Sequence, residues 1–337
     1  MSRVFELTRR LIDIESITGN EKQVGDTVHD LLDGLARAHG GKVERMEVEP
    51  GRDNIFAAFG QPIVTLSTHL DTVPPHFPSR EDDEFIWGRG ACDVKDIVAA
   101  MICAAEDLLA EGVRDFGLLF VVGEERNSAG AYHAAKNPRG SKYLINGEPT
   151  GNRLATGSKG ALRFELHAAG RMAHSAYPEL GESAIVKLLD ALERVRRIEL
   201  PVDDVLGPST VNIGTLTGGR APNVIADQAM ASLMFRLVDD AEPIRQAVHE
   251  ACAGLVEVRE VLCIPAVRLG VVEGFESTVV AFTTDIPAFE GAWGEPYLLG
   301  PGTIHVAHTS EERVPKTELA EATDLYKALV KRLLARR

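Results

Sequence analysis

Three apolar runs in this chain each stop on side chains that bind metals, and that pairing constrains the fold more than any other feature. Ile63-Val64-Thr65-Leu66 leads into Ser67-Thr68-His69-Leu70-Asp71. Phe116 to Val122 leads into Gly123-Glu124-Glu125, and Tyr143-Leu144-Ile145 into Asn146-Gly147-Glu148-Pro149. Short apolar runs bounded by Gly, Pro or polar residues read as buried strands of a parallel sheet. In such a sheet the ligand site lies beyond the carboxyl ends of the strands. A histidine and several carboxylates gathered there suit hard or borderline cations.

Around those runs strand and helix alternate. Leu7, Leu11 and Ile14 share a face of a helix predicted over 5–14. Val24, Val28, Leu31, Leu32 and Leu35 form the stripe of a second over 21–38. Strands are predicted at 43–48, 54–58 and 63–68. A helix over 93–109, with Ile97, Ala100, Met101, Ala104 and Leu108 at helical intervals, precedes the strand at 116–122 and a short helix at 129–135. This alternation predicts a layered α/β domain with a mostly parallel sheet. After Glu148 the texture changes to strand 161–168, helix 183–196, strands 210–216 and 229–238, helix 243–255 and strand 256–264. That β-α-β-β-α-β order is the ferredoxin-like split motif. It predicts an α+β domain over 158–267 inserted into a first domain made of 1–157 and 268–337. The chain then returns through apolar residues 278–282 and 296–299 to a closing helix over 318–334.

At 337 residues there is room for one large domain or two ordinary ones. A formal net charge of -14 with no basic patch argues against nucleic acid. No apolar run approaches membrane-spanning length, and the first residues carry no signal-peptide core. Cys92, Cys103, Cys252 and Cys263 form no CxxC and read as reduced thiols of a cytoplasmic protein. Cys92, beside a candidate ligand, reads first as a packing residue and second as a reactive thiol.

The individual motifs have plain alternatives. His69 and Asp71 stand two apart on an extended chain and point to one side, so one can ligate while the other orients it; a polar strand end is the simpler view. Asp93 is either a carboxylate between cations or the N-cap of the following helix, with Asp96 completing a capping box of sorts. Gly88 and Gly90 near it match neither GxGxxG nor Walker spacing. Glu124 and Glu125 diverge along the chain, so one can bind metal and the other hold a proton, unless both merely favour a helix N-terminus. In 300–312 either His305 or His308 can reach a metal.

Taken together, 67–74, 88–95, 123–125, 147–150, 170–178 and 307–312 resemble, in order, the motifs of the M20 family of dinuclear-zinc peptidases and deacylases. That family includes acetylornithine deacetylase, succinyl-diaminopimelate desuccinylase, aminoacylase-1 and glutamate carboxypeptidases. The resemblance implies that His69, Asp93 and Glu148 hold one cation and Asp93, Glu125 and His308 a second. Zinc comes first, with cobalt or manganese as alternatives. It implies Asp71 as the residue that orients His69 and Glu124 as the general base. It also implies that His174 reaches the partner subunit's site in a homodimer formed through the inserted domains. Asn223 and Arg236 match positions that contact a substrate carboxylate. Two departures stand out: Asp96 where the family usually has Gly, and Met234 where it often has an acid. The implied activity is hydrolysis of the amide bond of an N-acyl amino acid, as in acetylornithine deacetylase. A dipeptidase or carboxypeptidase acting on short peptides is the alternative. A catalytically silent metal-binding protein on the same fold is disfavoured, because Glu124, Glu125 and His174 are all present.

Overall fold

The computed structural model describes residues 2–336. The chain forms two compact units. One comprises Met1–Thr156, Leu269–Thr278 and Thr284–Arg337, and the other Gly157–Arg268 and Val279–Thr283.

The first unit opens with α1 (Arg3–Ile12) and α2 (Lys22–His39), which ends on Gly40 in the left-handed conformation usual after a helix. Then come β1 (Lys42–Glu49), β2 (Arg52–Phe59) and β3 (Val64–His69). Next are α3 (Lys95–Ala110), β4 (Phe116–Val121), the single turn α4 (Glu124–Asn127), α5 (Ala129–Ala135) and β5 (Tyr143–Asn146). The three runs that end on metal-type residues are β3, β4 and β5. They lie side by side: β4 and β5 each pair with β3 in parallel. On the return of the chain, Glu295–Leu298 adds a further parallel strand beside β5. The antiparallel strands β2 and β1 extend the sheet on the side of β4. β3 and β4 are buried at every position, as a sheet covered on both faces requires. One face packs against α1, α2, α3 and the final helix Lys316–Leu334. The other packs Leu119, Val121 and Leu144 against Ala131, Ala134, Phe289 and Trp293.

The helix after Asp93 begins at Lys95, with Val94 at the capping position and no side-chain cap. Asp93 is therefore not an N-cap, and its carboxylate is left for other work. Glu124 and Glu125 do occupy the first turn of α4. Gly123, at φ +84°, supplies the left-handed turn that lets the chain leave β4 and enter that helix at once.

The second unit has β6 (Gly160–Ala169), α6 (Ala184–Val195), β7 (Thr210–Gly218), β8 (Gln228–Leu237), α7 (Glu242–Cys252) and β9 (Glu257–Ile264). The sheet order β7-β8-β6-β9, antiparallel throughout, is that of the ferredoxin-like motif. Alternate residues Leu162, Phe164, Leu166, Leu233 and Phe235 are buried with Leu188, Leu192, Ile244 and Val248 of the two helices. Arg236 and Met234 lie on the opposite face, partly buried. Among the described residues no helix is long and apolar enough to cross a membrane. All four cysteines are free.

Candidate metal centre

The carboxyl ends of β3, β4 and β5 deliver their polar residues to one place in the first unit. His69 closes β3 and is buried. Its Nε2 lies 3.2 Å from Asp93 Oδ1 and 3.9 Å from Glu148 Oε1. The other oxygen of Asp93, Oδ2, lies 3.1 Å from His308 Nε2, which is also 3.1 Å from Glu125 Oε1. Two sets of donors result, His69–Asp93–Glu148 and Asp93–Glu125–His308, each with its ligand atoms within 4.8 Å of one another. Asp93 belongs to both and turns one oxygen to each.

Asp71 does more than face the imidazole. His69 Nδ1 lies 2.9 Å from the Asp71 carbonyl and 3.6 Å from its carboxylate. The same carboxylate accepts the backbone N–H groups of Gly123, Glu124 and Glu125 at 2.9, 3.1 and 3.2 Å, and the Thr18 hydroxyl at 2.8 Å. One buried acid thus fixes both the imidazole and the turn that presents Glu124 and Glu125. Burial works to raise the Asp71 carboxyl. Its hydrogen bonds from His69, Thr18 and the Glu125 N–H outweigh that and leave it below the usual range.

The other acids show the reverse balance. Burial pushes Glu148, Glu124 and Glu125 above the ordinary carboxyl value, with neighbouring carboxylates adding to it. Glu148 Oε1 is buried and makes no hydrogen bond among the described residues. His308 is raised to about 10 by its hydrogen bonds to Asp93 and Glu125. So many carboxylates, each costly to ionise when buried, fit divalent cations that offset their charge. Two imidazoles and three carboxylates suit zinc or a similar borderline ion rather than a thiolate structural site. Cys92 offers no thiolate: it is buried, its thiol donates to the Thr303 carbonyl at 3.3 Å, and burial holds its pKa well up. Packing is its role.

Other candidates fall elsewhere. His305 is exposed and belongs to neither donor set. His174 and Asn223 lie in the second unit, both exposed on adjoining turns: His174 bridges to Val224, and the Ser175 N–H donates to the Asn223 carbonyl at 3.0 Å. Arg236 is partly buried, which lowers its pKa, and has no acidic partner among the described residues. One acid at the centre escapes sequence reasoning. Asp285 is buried, is pushed up to about 7 by burial against the pull of Ser128 and His69, and acts electrostatically on Glu124 and Glu148. It stands three residues past the apolar run 279–282, behind Thr283 and Thr284, and only the folded chain brings it to the strand ends.

Carboxylates in this number call for cations, and beside them the Glu124 carboxylate has no hydrogen-bond partner among the described residues. The class of protein that combines the two on such a sheet is the metal-dependent hydrolase of amide and peptide bonds. Comparison with known proteins supplies the family. The chain belongs to Peptidase family M20/M25/M40, whose pattern matches residues 65–332. It is 40% identical to a probable carboxypeptidase of Aspergillus clavatus, over 99% of this chain and 83% of that one. It is 37% identical to a peptidase M20 domain-containing protein of Schizosaccharomyces pombe, over 97% of this chain and 84% of the other. Among solved structures it is similar in fold to aminopeptidase PepT from Bacillus cereus, with TM-score 0.82, 19% identity and 98% of each chain covered. It also resembles a Bacillus subtilis protein described as a dinuclear metal binding peptidase from the M20 family, with TM-score 0.70, 15% identity, and 99% of this chain and 97% of that one covered.

Proposed function

We propose that this chain is a two-metal carboxypeptidase that cleaves the amide bond on the amino side of a residue with a free carboxylate. The observation that carries this reading is the pair of donor sets sharing Asp93 beside an unpaired Glu124. Relatives at 38–40% identity named as probable carboxypeptidases favour a peptide substrate over the acetylornithine type. An N-acyl amino acid has the same amide-plus-carboxylate layout, so both substrate classes meet the same groups and differ only on the acyl side.

In this reading His69, Asp93 and Glu148 hold one cation and Asp93, Glu125 and His308 the other. Zinc matches the donors; cobalt and manganese are accommodated by the same set. Bound there, the cations supply Lewis acidity and bring water activation near neutral pH. Glu124 takes the proton from the attacking water and returns it to the leaving amine nitrogen. Asp71 keeps His69 and the Glu124 turn in register. Arg236 grips the substrate carboxylate in a two-pronged contact; Asn223, on the turn beside His174 at the other end of β8, matches the second carboxylate-contacting position. His174 donates to the developing oxyanion, in the partner subunit's site of a homodimer.

The test compares peptides and N-acetyl amino acids with their C-terminal amides on zinc-loaded protein. A strong preference for the free acid, lost in Arg236→Leu, is expected. Equal catalytic efficiency on acid and amide overturns the carboxypeptidase assignment.

A further inference from the structure

A buried ion pair outside both donor sets joins the loop that carries Asp93 to the loop that carries His308. Arg89 and Glu312 are both buried. Arg89 Nη1 donates to Glu312 Oε2, its Nε donates to the Pro75 carbonyl at 3.2 Å, and its guanidinium lies 5.0 Å from the centre of the Phe77 ring. The second oxygen of Glu312 accepts the backbone N–H groups of Gly90, Cys92 and Asp93 at 2.8, 3.2 and 3.2 Å. The Glu312 carbonyl accepts the Gly88 N–H at 3.2 Å. One residue, four positions after His308, therefore fixes four N–H groups of the segment leading to Asp93.

The two donor sets depend on this clamp unequally. His69 closes β3 and Glu148 follows β5, and these strands are paired to each other in the sheet. In the other set only Glu125 has comparable support, through the Asp71 carboxylate. Asp93 and His308 both sit in non-helical, non-strand chain. Their segments are also joined by the pairing of Phe85–Trp87 with Arg313–Pro315 and by the Cys92–Thr303 hydrogen bond, but it is Glu312 that holds the Asp93 N–H itself.

We propose that Arg89 and Glu312 are positioning residues that hold Asp93 at a fixed separation from His308 and thereby set the affinity of the Asp93–Glu125–His308 set for its cation. This rests on the two-cation reading above. Neither residue touches a cation or substrate in that reading. Their effect passes through the Asp93 backbone.

Calorimetric titration of chelator-stripped protein with zinc tests it. The unaltered chain is expected to bind in two steps. Glu312→Ala is expected to keep the tighter step and to weaken the other by about 10- to 100-fold, the usual range for groups that orient metal ligands. Glu312→Gln, which retains an acceptor for the three N–H groups, is expected to lie between. If circular dichroism shows that Glu312→Ala does not fold, Arg89→Met/Glu312→Leu removes both charges together, a change that buried pairs tolerate. The same two steps are then read. A purely structural pair lowers the thermal midpoint without separating the steps. Two steps that shift equally, or not at all, therefore overturn the inference while leaving the two-cation reading intact. A single step in the unaltered chain overturns that reading itself.

Discussion

At the scale of single residues the centre is a problem of placing charge. Glu124 has no hydrogen-bond partner for its carboxylate among the described residues, while burial and then Asp285 and Glu148 strengthen its hold on a proton. Glu124→Gln keeps the shape and removes the base. It is expected to retain its zinc by elemental analysis and to lose about 10²–10⁴-fold in kcat, the usual worth of a general base. Full activity with metal retained would show that another group takes the proton. Much of this centre was legible in the chain. His69, Glu125 and Glu148 stand directly after apolar strands, where a parallel sheet opens its site. Asp93 was ambiguous, because a carboxylate before a helix is also a good cap. Only the start of α3 at Lys95 separates the two readings. By their residues alone His308 and His305 were equivalent, and only the family resemblance chose His308; in the fold it is His308 that faces Glu125. Asp285 and the Thr18 hydroxyl were illegible, since both reach the centre through tertiary contacts that leave no periodic trace.

At the scale of elements, helices and strands were legible because period alone decides them. The differences are at the ends, as for the first helix, which runs from Arg3 to Ile12 rather than over 5–14, and in strands too short to show a period, such as Leu154–Ser158, Phe85–Trp87 and Arg313–Pro315. The edges of the second sheet were not legible. β9 carries Glu257, Arg259 and Glu260 along its open side, the charged protection usual for an edge strand. β7, at the other edge, has no charged residue between Thr210 and Gly218, and Leu216 is exposed. In the same unit Val186 and Leu189 of α6, three residues apart and so neighbours on the helix surface, are 54% and 51% exposed. These features support the homodimer proposed above. Thr215→Lys with Leu189→Glu is expected to convert a dimer to a monomer in sedimentation equilibrium, and to lower activity because His174 is then lost to the partner's site. Mixing inactive Glu124→Gln with inactive His174→Ala chains is expected to restore activity as subunits exchange. Mixed dimers that stay inactive would place His174 outside the chemistry of the partner.

For the whole molecule, the concentration of buried acid makes stability depend on pH and on metal together. In the metal-free chain burial pushes the Asp285 carboxyl up to about 7, against about 3.9 for an unfolded aspartate. Between those values the folded chain binds more protons than the unfolded one, so stability is greatest at the acid end and is lost as pH rises through the folded value. Glu148, Glu124 and Glu125, all raised chiefly by burial, act in the same sense. So does His308, raised to about 10, as the pH passes its ordinary value. Asp71 and Asp93 are depressed, and their opposite contribution falls below the window. His76, lowered by burial, opposes the trend over a narrower span, and Lys95, lowered to about 7 by burial, opposes it only above that value. In chelator, the thermal midpoint is therefore expected to fall from pH 5 to pH 7. Zinc binds the ionised form of Glu148 and Glu125, so the rise in midpoint on adding it should grow across that interval. Scanning calorimetry at constant ionic strength, with and without zinc, measures both slopes. A chelated midpoint that climbs with pH, or a zinc increment that does not change, would mean that these acids are not the groups a cation neutralises.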